Sequence, residues 1–151
     1  MTRNVEERRI PPGDDAHLAQ AWELKERIRR SDGVLKQARA YFGTEYRQRT
    51  VYLLLFPNDQ EEVVAFAVIH EDGYLSLFGV APEHRRQGLG TRLIEALVDD
   101  YDTITLHTRA SNRGAIEFYK HAGFTVQRRI QNYYPDGTDA LLFRLERATP
   151  N

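Results

Sequence analysis

The sequence predicts a single α+β domain built on a mixed sheet. Runs rich in β-branched and aromatic residues cover 50–56, 63–70 and 74–80, and turn-forming segments separate them, which predicts three strands in an antiparallel meander. Elsewhere apolar residues recur at helical spacing. A strand, a helix and another strand follow one another between 74 and 108, and this order predicts a right-handed parallel crossover.

The first third of the chain is predicted to contain one strand and two helices. A short polar edge strand over 4–10 ends at a Pro-Pro-Gly sequence, which neither a helix nor a central strand tolerates. Asp14 and Asp15 favour the start of the first helix, and a Ser-Asp-Gly sequence ends it. A second, shorter helix is predicted over 34–42, before a turn at Gly43. The apolar face of the first helix consists of Leu18, Ala21, Leu24 and Ile28.

The second half of the chain alternates helices with strands. One apolar face predicts a helix over 89–97, and a strand is predicted over 103–108. Asn112 is expected to cap a further helix, which an Ala-Gly pair closes. The last predicted elements are a strand pair, 124–132 and 139–146, around a Pro-Asp-Gly turn.

Composition restricts the class of protein. A length of 151 residues with 41% apolar and 28% charged residues is typical of one globular domain, here 1–151. The net charge of −1 provides no field for nucleic acid or an anionic membrane, so neither is expected as a partner. The absence of cysteine excludes disulfides, thiolate zinc sites and cysteine nucleophiles. The first residues lack an apolar signal region and the longest apolar run, 52–56, is far too short to span a bilayer, so we expect a cytoplasmic protein.

A glycine turn is the clearest local motif. In Arg85-Arg86-Gln87-Gly88-Leu89-Gly90 the glycines stand where a strand leads into a helix, so bare backbone amides can converge on an anion at the positive end of the helix dipole. The two arginines add charge. Spacing alone leaves two readings open, a phosphate cradle or a tight turn with solvated arginines. The motif is neither a Walker loop nor a dinucleotide-binding G-x-G-x-x-G turn.

A second motif stands downstream of the glycine turn. The turn has the form R-x-x-G-x-G, and Asn112 to Phe124 has the form N-x-x-A-x-x-F-Y-x-x-x-G-F. Together they resemble the GNAT acetyltransferase superfamily, from about the first helix onward. The resemblance implies a mixed, mostly antiparallel sheet of about seven strands, splayed between the fourth and fifth, with about four flanking helices and acetyl-CoA in the gap. The cofactor-binding residues that it implies are Phe78, Val80, Arg85, Arg86, Gln87, Gly88, Leu89, Gly90, Thr91, Asn112 and Tyr119.

Acetyl transfer to an amine requires an unprotonated nucleophile, stabilisation of charge on the thioester oxygen and a proton for the departing thiolate. The resemblance places Tyr119 beside the cofactor sulfur as the candidate general acid. The alternative is a helix tyrosine that packs with Phe118 and Phe124. Asn112 corresponds to a family asparagine that hydrogen-bonds the pantetheine arm, and it can also cap its helix. No metal is expected.

His107 is the candidate general base. It occupies the fifth-strand position where bacterial ribosomal-protein N-acetyltransferases look to have glutamate, whereas certain eukaryotic N-terminal acetyltransferases resemble this sequence in pairing such a histidine with a fourth-strand tyrosine, here Tyr74. A histidine with a pKa near neutrality can draw the amine proton through water. The alternative is a strand histidine satisfied by structural hydrogen bonds. The remaining histidines show no metal-ligand spacing and are interpreted as surface or structural residues: His17, His70, His84 and His121.

A third motif concerns the acceptor. Residues 132–140 resemble the N-Y-Y-P…D-A loop of the GNAT branch that acetylates protein amino termini, which includes the ribosomal-protein-alanine acetyltransferases. The resemblance implies that Tyr133 and Tyr134 bind the acceptor backbone. We therefore expect acetyl transfer from acetyl-CoA to the α-amine of a protein or peptide, by a monomer or homodimer. Two alternatives stay open: acetylation of a small-molecule amine, and a non-catalytic acyl-CoA-binding sensor.

Overall fold

The computed structural model describes residues 4–148, so the ends of the predicted domain, 1–3 and 149–151, lie outside the described residues. The elements are β1 (Glu6–Ile10), α1 (Leu18–Asp32), α2 (Arg39–Gln48), β2 (Thr50–Phe56), β3 (Glu62–Ile69), β4 (Leu75–Val80), a 3₁₀ turn (Pro82–His84), α3 (Leu89–Asp100), β5 (Thr103–Arg109), α4 (Arg113–His121), β6 (Thr125–Ile130) and β7 (Ala140–Glu146).

The strands form two antiparallel sheets that part between β4 and β5. The first has the order β1-β2-β3-β4 and the second the order β5-β7-β6. Among residues 4–148, β4 and β5 are joined by no ladder, and one isolated parallel bridge between Tyr74 and Thr105 marks the place where they diverge. The predicted α+β fold with a splay between the fourth and fifth strands is confirmed. The predicted parallel pairing across the crossover consists of this one bridge only.

The central strands of the first sheet are covered on both faces. All seven residues of β2 are buried. On one face Phe42 of α2 packs edge-on against Phe66, with ring centroids 5.7 Å apart. On the other face Tyr52 donates a 2.6 Å hydrogen bond to Asp100 at the end of α3. Each fully buried apolar side chain of this kind contributes about 1.5–3 kcal/mol, so this sheet is the rigid frame that carries the site.

The second helix differs from its prediction. The expected span of 34–42 with a stop at Gly43 is wrong, because α2 runs through Gly43 in its interior. Phe42 and Tyr46, four residues apart, are fully buried and tie this helix to the core. Their burial outweighs the cost of about 1 kcal/mol for an interior glycine. The first helix likewise starts later than Asp14 and Asp15, at the bounds given above.

Among the helices of residues 4–148, none is both long and apolar enough to cross a membrane.

Candidate active site

The turn between β4 and α3 has the backbone of an anion cradle. Arg86 has φ 62° and Gly88 has φ 78°, so both lie in the left-handed region. That region costs a non-glycine residue about 1 kcal/mol, and such strain concentrates at ligand sites. A Cβ on Gly88 would meet nothing within 4 Å, so the glycine serves the backbone angle while the space above it stays open. No side chain caps α3 here, which leaves its first amides to a ligand.

Gly90 is required for a different reason. A Cβ at this position would lie 2.9 Å from two ring carbons of Phe118 and 3.5 Å from Cγ2 of Val80. The glycine therefore lets the first turn of α3 approach both α4 and the end of β4. Leu89 is buried beside it, whereas the neighbouring Thr91 is exposed. The cradle is in this way held at the mouth of the gap between the sheets.

The cradle is also tied to α1. Arg85 forms an ion pair with Asp32 at the end of that helix, and this pair lowers the pKa of the Asp32 carboxyl. Nearby, Arg27 donates a 2.8 Å hydrogen bond to Glu83. Of the arginines predicted to meet an anion, Arg85 thus already holds a carboxylate. The side chains of Arg86 and Gln87 are exposed at the same turn.

Tyr119 lies in the wall of the gap. Its side chain is 8% exposed, and its ring contacts those of Phe78, Phe118, Phe124 and Phe143 at centroid distances of 5.3–6.0 Å. Burial raises the pKa of its phenol, so the hydroxyl keeps its proton. That hydroxyl makes no hydrogen bond within residues 4–148, which leaves it available to a ligand.

Asn112 caps α4 as predicted. Its side-chain oxygen accepts a 3.1 Å hydrogen bond from the amide of Ala115. The side-chain NH₂ donors of Asn112 are not used by the cap. Val80 is half-buried at the end of β4, the strand of the first sheet that borders the gap.

His107 lies in a cluster of phenols. Its Nδ1 is 2.7 Å from the hydroxyl of Tyr74, and its ring stacks on that of Tyr133 with centroids 4.6 Å apart. The Tyr133 hydroxyl is 3.5 Å from the same nitrogen. Burial, and then the nearby Arg128 charge, lower the pKa of His107. The imidazole is therefore neutral near neutral pH, and one of its nitrogens offers a lone pair.

The loop between β6 and β7 holds its tyrosines in place. The Arg109 guanidinium lies 4.2 Å from the ring centroid of Tyr134 and donates a 2.8 Å hydrogen bond to Asp136. Hydrogen bonds from Thr138, and then from Arg109, lower the pKa of Asp136 to about 2. Tyr134 is also close enough to Tyr119 to raise the pKa of Tyr119 further. The loop thus joins the histidine cluster to the gap.

Sequence reasoning missed a buried carboxylate beside this cluster. Glu45 of α2 is 7% exposed and accepts hydrogen bonds from Arg49 at 3.0 Å and Tyr41 at 3.3 Å, and it lies 2.9 Å from His70 Nε2. The His70 ring packs edge-on against Tyr74, with centroids 5.4 Å apart. The prediction of His70 as a structural residue is consistent with these contacts. Because α2 was predicted to stop at 42, the i, i+4 spacing of these α2 side chains was not recognised.

No set of three or more His, Asp or Glu side chains that could hold a metal occurs within residues 4–148.

Comparisons with known proteins find acetyltransferases among the proteins similar to this chain. The model of the acetyltransferase (GNAT) family matches residues 17–124. N-alpha-acetyltransferase 30 of Xenopus laevis is 36% identical over 78 residues, which cover 48% of this chain and 29% of that protein. The ribosomal protein bS18-alanine N-acetyltransferase of Salmonella typhimurium is 30% identical over 139 residues, 85% of this chain and 90% of that protein.

A solved structure agrees over almost the whole chain. The crystal structure of the ribosomal-protein-S18-alanine N-acetyltransferase from Escherichia coli superposes with a TM-score of 0.73 at 25% identity, covering 97% of each chain. The chain spans less than a third of the length of the first curated relatives it matches, at 29%, 22% and 21%. The family match extends from α1 through the glycine turn to the end of α4 and covers well over half of the sequence, so the chain belongs to the acetyltransferase (GNAT) family.

Proposed function

We propose that this chain transfers the acetyl group of acetyl-CoA directly to the α-amine at the amino terminus of a protein or peptide. The observation that carries the proposal is that a neutral imidazole, His107, and a protonated phenol, Tyr119, lie on opposite faces of the second sheet beside the gap between β4 and β5. Base and acid in these protonation states are what the transfer of an acetyl group between a thioester and an amine requires.

The donor side supports acetyl-CoA as co-substrate. The strained turn at Arg86 and Gly88 offers backbone amides to a pyrophosphate, together with the residues up to Thr91. One edge of β4 pairs with β3, and its other edge faces the gap, where the backbone groups near Phe78 and Val80 are open to hydrogen bonding. The pantetheine arm carries amide groups that suit such an edge, and the free NH₂ of Asn112 lies at the start of α4 to meet it. The thioester supplies the activated acetyl group.

His107 and Tyr119 divide the two proton transfers between them. In one arrangement the Tyr74 hydroxyl donates to Nδ1 of His107; in the other, Nδ1–H donates to the phenol oxygen. In both, the neutral ring has a nitrogen that takes up the amine proton, directly or through Tyr74 or a water. Tyr119 donates its proton toward the departing sulfur from a largely buried side chain.

The acceptor side favours a peptide over a small amine. Tyr74 and Tyr133 contact His107, Tyr134 packs against Tyr133, and the guanidinium of Arg109 holds the ring of Tyr134 in place. Rigid phenols, whose hydroxyls can both donate and accept hydrogen bonds, suit a peptide backbone, which alternates donors and acceptors along its length. The named activity of the Salmonella relative, which the chain matches over 90% of that protein, supports the same acceptor class.

The experiment is a comparison of acceptors with purified protein and acetyl-CoA. We expect acetylation of peptides with free amino termini, detected by thiol release and by mass, and none of the same peptides with blocked amino termini. Turnover confined to polyamines, amino acids or antibiotics would instead support a small-molecule acetyltransferase. Acetyl-CoA binding without turnover on any amine would support a sensor. The expected monomer or homodimer and the cytoplasmic location stay predictions, to be checked by sedimentation and by cell fractionation.

A further inference from the structure

His107 lies on one face of the second sheet, at the end of a row of side chains that crosses all three strands. In the register of β5, β7 and β6, His107 is paired with Leu142, and Leu142 is paired with Arg128. Directly paired residues in antiparallel strands project to the same face. The three side chains therefore form a row across the sheet, on the face opposite the buried Phe143, which packs against Tyr119.

Arg128 differs from the other arginines of this face. Arg109 is paired with Asp136 at 2.8 Å, and Arg144 is paired with Glu146 at 2.8 Å. Arg128 is exposed and has no carboxylate partner within residues 4–148. Its charge still reaches the candidate base, since it lowers the pKa of His107. The face beside the acceptor cluster thus carries an uncompensated guanidinium.

We propose that Arg128 selects acceptors with an acidic side chain near the amino terminus. This inference rests on the proposed function. Two strand spacings of about 4.8 Å separate the backbones of His107 and Arg128, which gives about 10 Å. An extended peptide advances about 3.3–3.6 Å per residue, so an acceptor whose α-amine lies at His107 reaches Arg128 at about its third residue. A guanidinium binds a carboxylate with charge-assisted hydrogen bonds.

The test measures kcat/KM for a neutral peptide series in which residue 2, 3 or 4 is Asp, Asn or Lys. At low salt we expect the best Asp peptide to exceed its Asn counterpart by about three- to tenfold, as for a partly exposed charge pair. The preference should shrink at 0.5 M salt, because exposed charges are screened. Arg128→Gln should abolish the ratio, and Arg128→Glu should transfer the preference to Lys.

Arg129→Gln is the control, because it removes the same charge from the adjacent residue of the same strand, whose side chain projects to the other face. It also breaks the 2.8 Å ion pair between Arg129 and Asp139, so the absolute rate is not compared. For Arg129→Gln, the ratio of kcat/KM between Asp and Asn peptides, rather than the absolute rate, should match that of the unmodified protein. Equal rates on Asp and Asn peptides, or a ratio that survives Arg128→Gln, would overturn this inference while leaving peptide acetylation intact. Failure to acetylate any peptide would overturn the proposed function and this inference with it.

Discussion

Replacing Tyr119 with phenylalanine removes one oxygen and keeps the ring. The ring is held by four aromatic neighbours at 5.3–6.0 Å, and the hydroxyl makes no hydrogen bond within residues 4–148. Packing is therefore retained, and we expect the free energy of unfolding to change by less than about 0.5 kcal/mol, or roughly 1–2 °C in Tm. General acid catalysis contributes about 10²–10⁴-fold, so kcat should fall by at least about 100-fold, or about 2.7 kcal/mol in the barrier.

The assay combines three measurements on the same preparation. Thiol release gives kcat, calorimetry gives CoA affinity, and a thermal melt gives Tm. Tyr101→Phe is the control, since Tyr101 is a partly buried tyrosine that packs against Tyr52, away from the gap. A kcat within threefold of the unmodified protein would refute the role of Tyr119 as the acid. A large loss of Tm would show that the hydroxyl is structural, which contradicts its lack of a protein partner.

Three further predictions concern other parts of the site. Because burial lowers the pKa of His107, the unfolded chain binds a proton at this residue more readily than the folded chain. The contribution of neutral His107 to the free energy of unfolding is therefore complete above pH 6.5 and is lost as the pH falls through the lowered pKa. His107→Gln should weaken both the decrease of Tm and the decrease of kcat/KM at acid pH. Gly90→Ala drives a Cβ against Phe118 and should lower stability by about 1 kcal/mol and weaken CoA binding measurably by calorimetry, whereas unchanged affinity would contradict the tight approach of α3. Asp32→Asn releases Arg85 and should strengthen CoA binding about two- to fivefold at low salt while lowering Tm only slightly; weaker binding would show that the carboxylate positions the arginine for its ligand.

The backbone turn and the helix cap of the proposed donor site could be predicted from sequence because they are local. The glycine turn and Asn112 lie at element boundaries, where backbone angle and capping restrict the residue type directly. The central strands were predictable for a similar reason, since β2 is buried on both faces and reads as a continuous apolar run. These features depend on neighbours within a few residues, so one sequence contains the information.

The contacts of the proposed acceptor side could be predicted only in part, because distant segments build it. His107, Tyr74 and Tyr133 were identified through the resemblance, but spacing gives no indication that Tyr41 and Glu45 join them. Their inclusion depends on the length of α2, which burial determines in spite of an unfavourable glycine. The distance between Arg128 of β6 and His107 of β5 depends on strand order as well, since β7 lies between these two strands.

In the proposed site, this strand order links the residue at position 107 to the charge of the acceptor. A glutamate at position 107 would place an anion in the same row as Arg128, two strands away, and the two charges would partly compensate each other. A neutral imidazole costs less to bury than a carboxylate, and it leaves the guanidinium without a counter-charge. His107→Glu should therefore reduce the preference for acidic peptides even where it retains turnover. In the proposed site, the charge of the residue at position 107 thus affects how strongly this face favours an acidic acceptor.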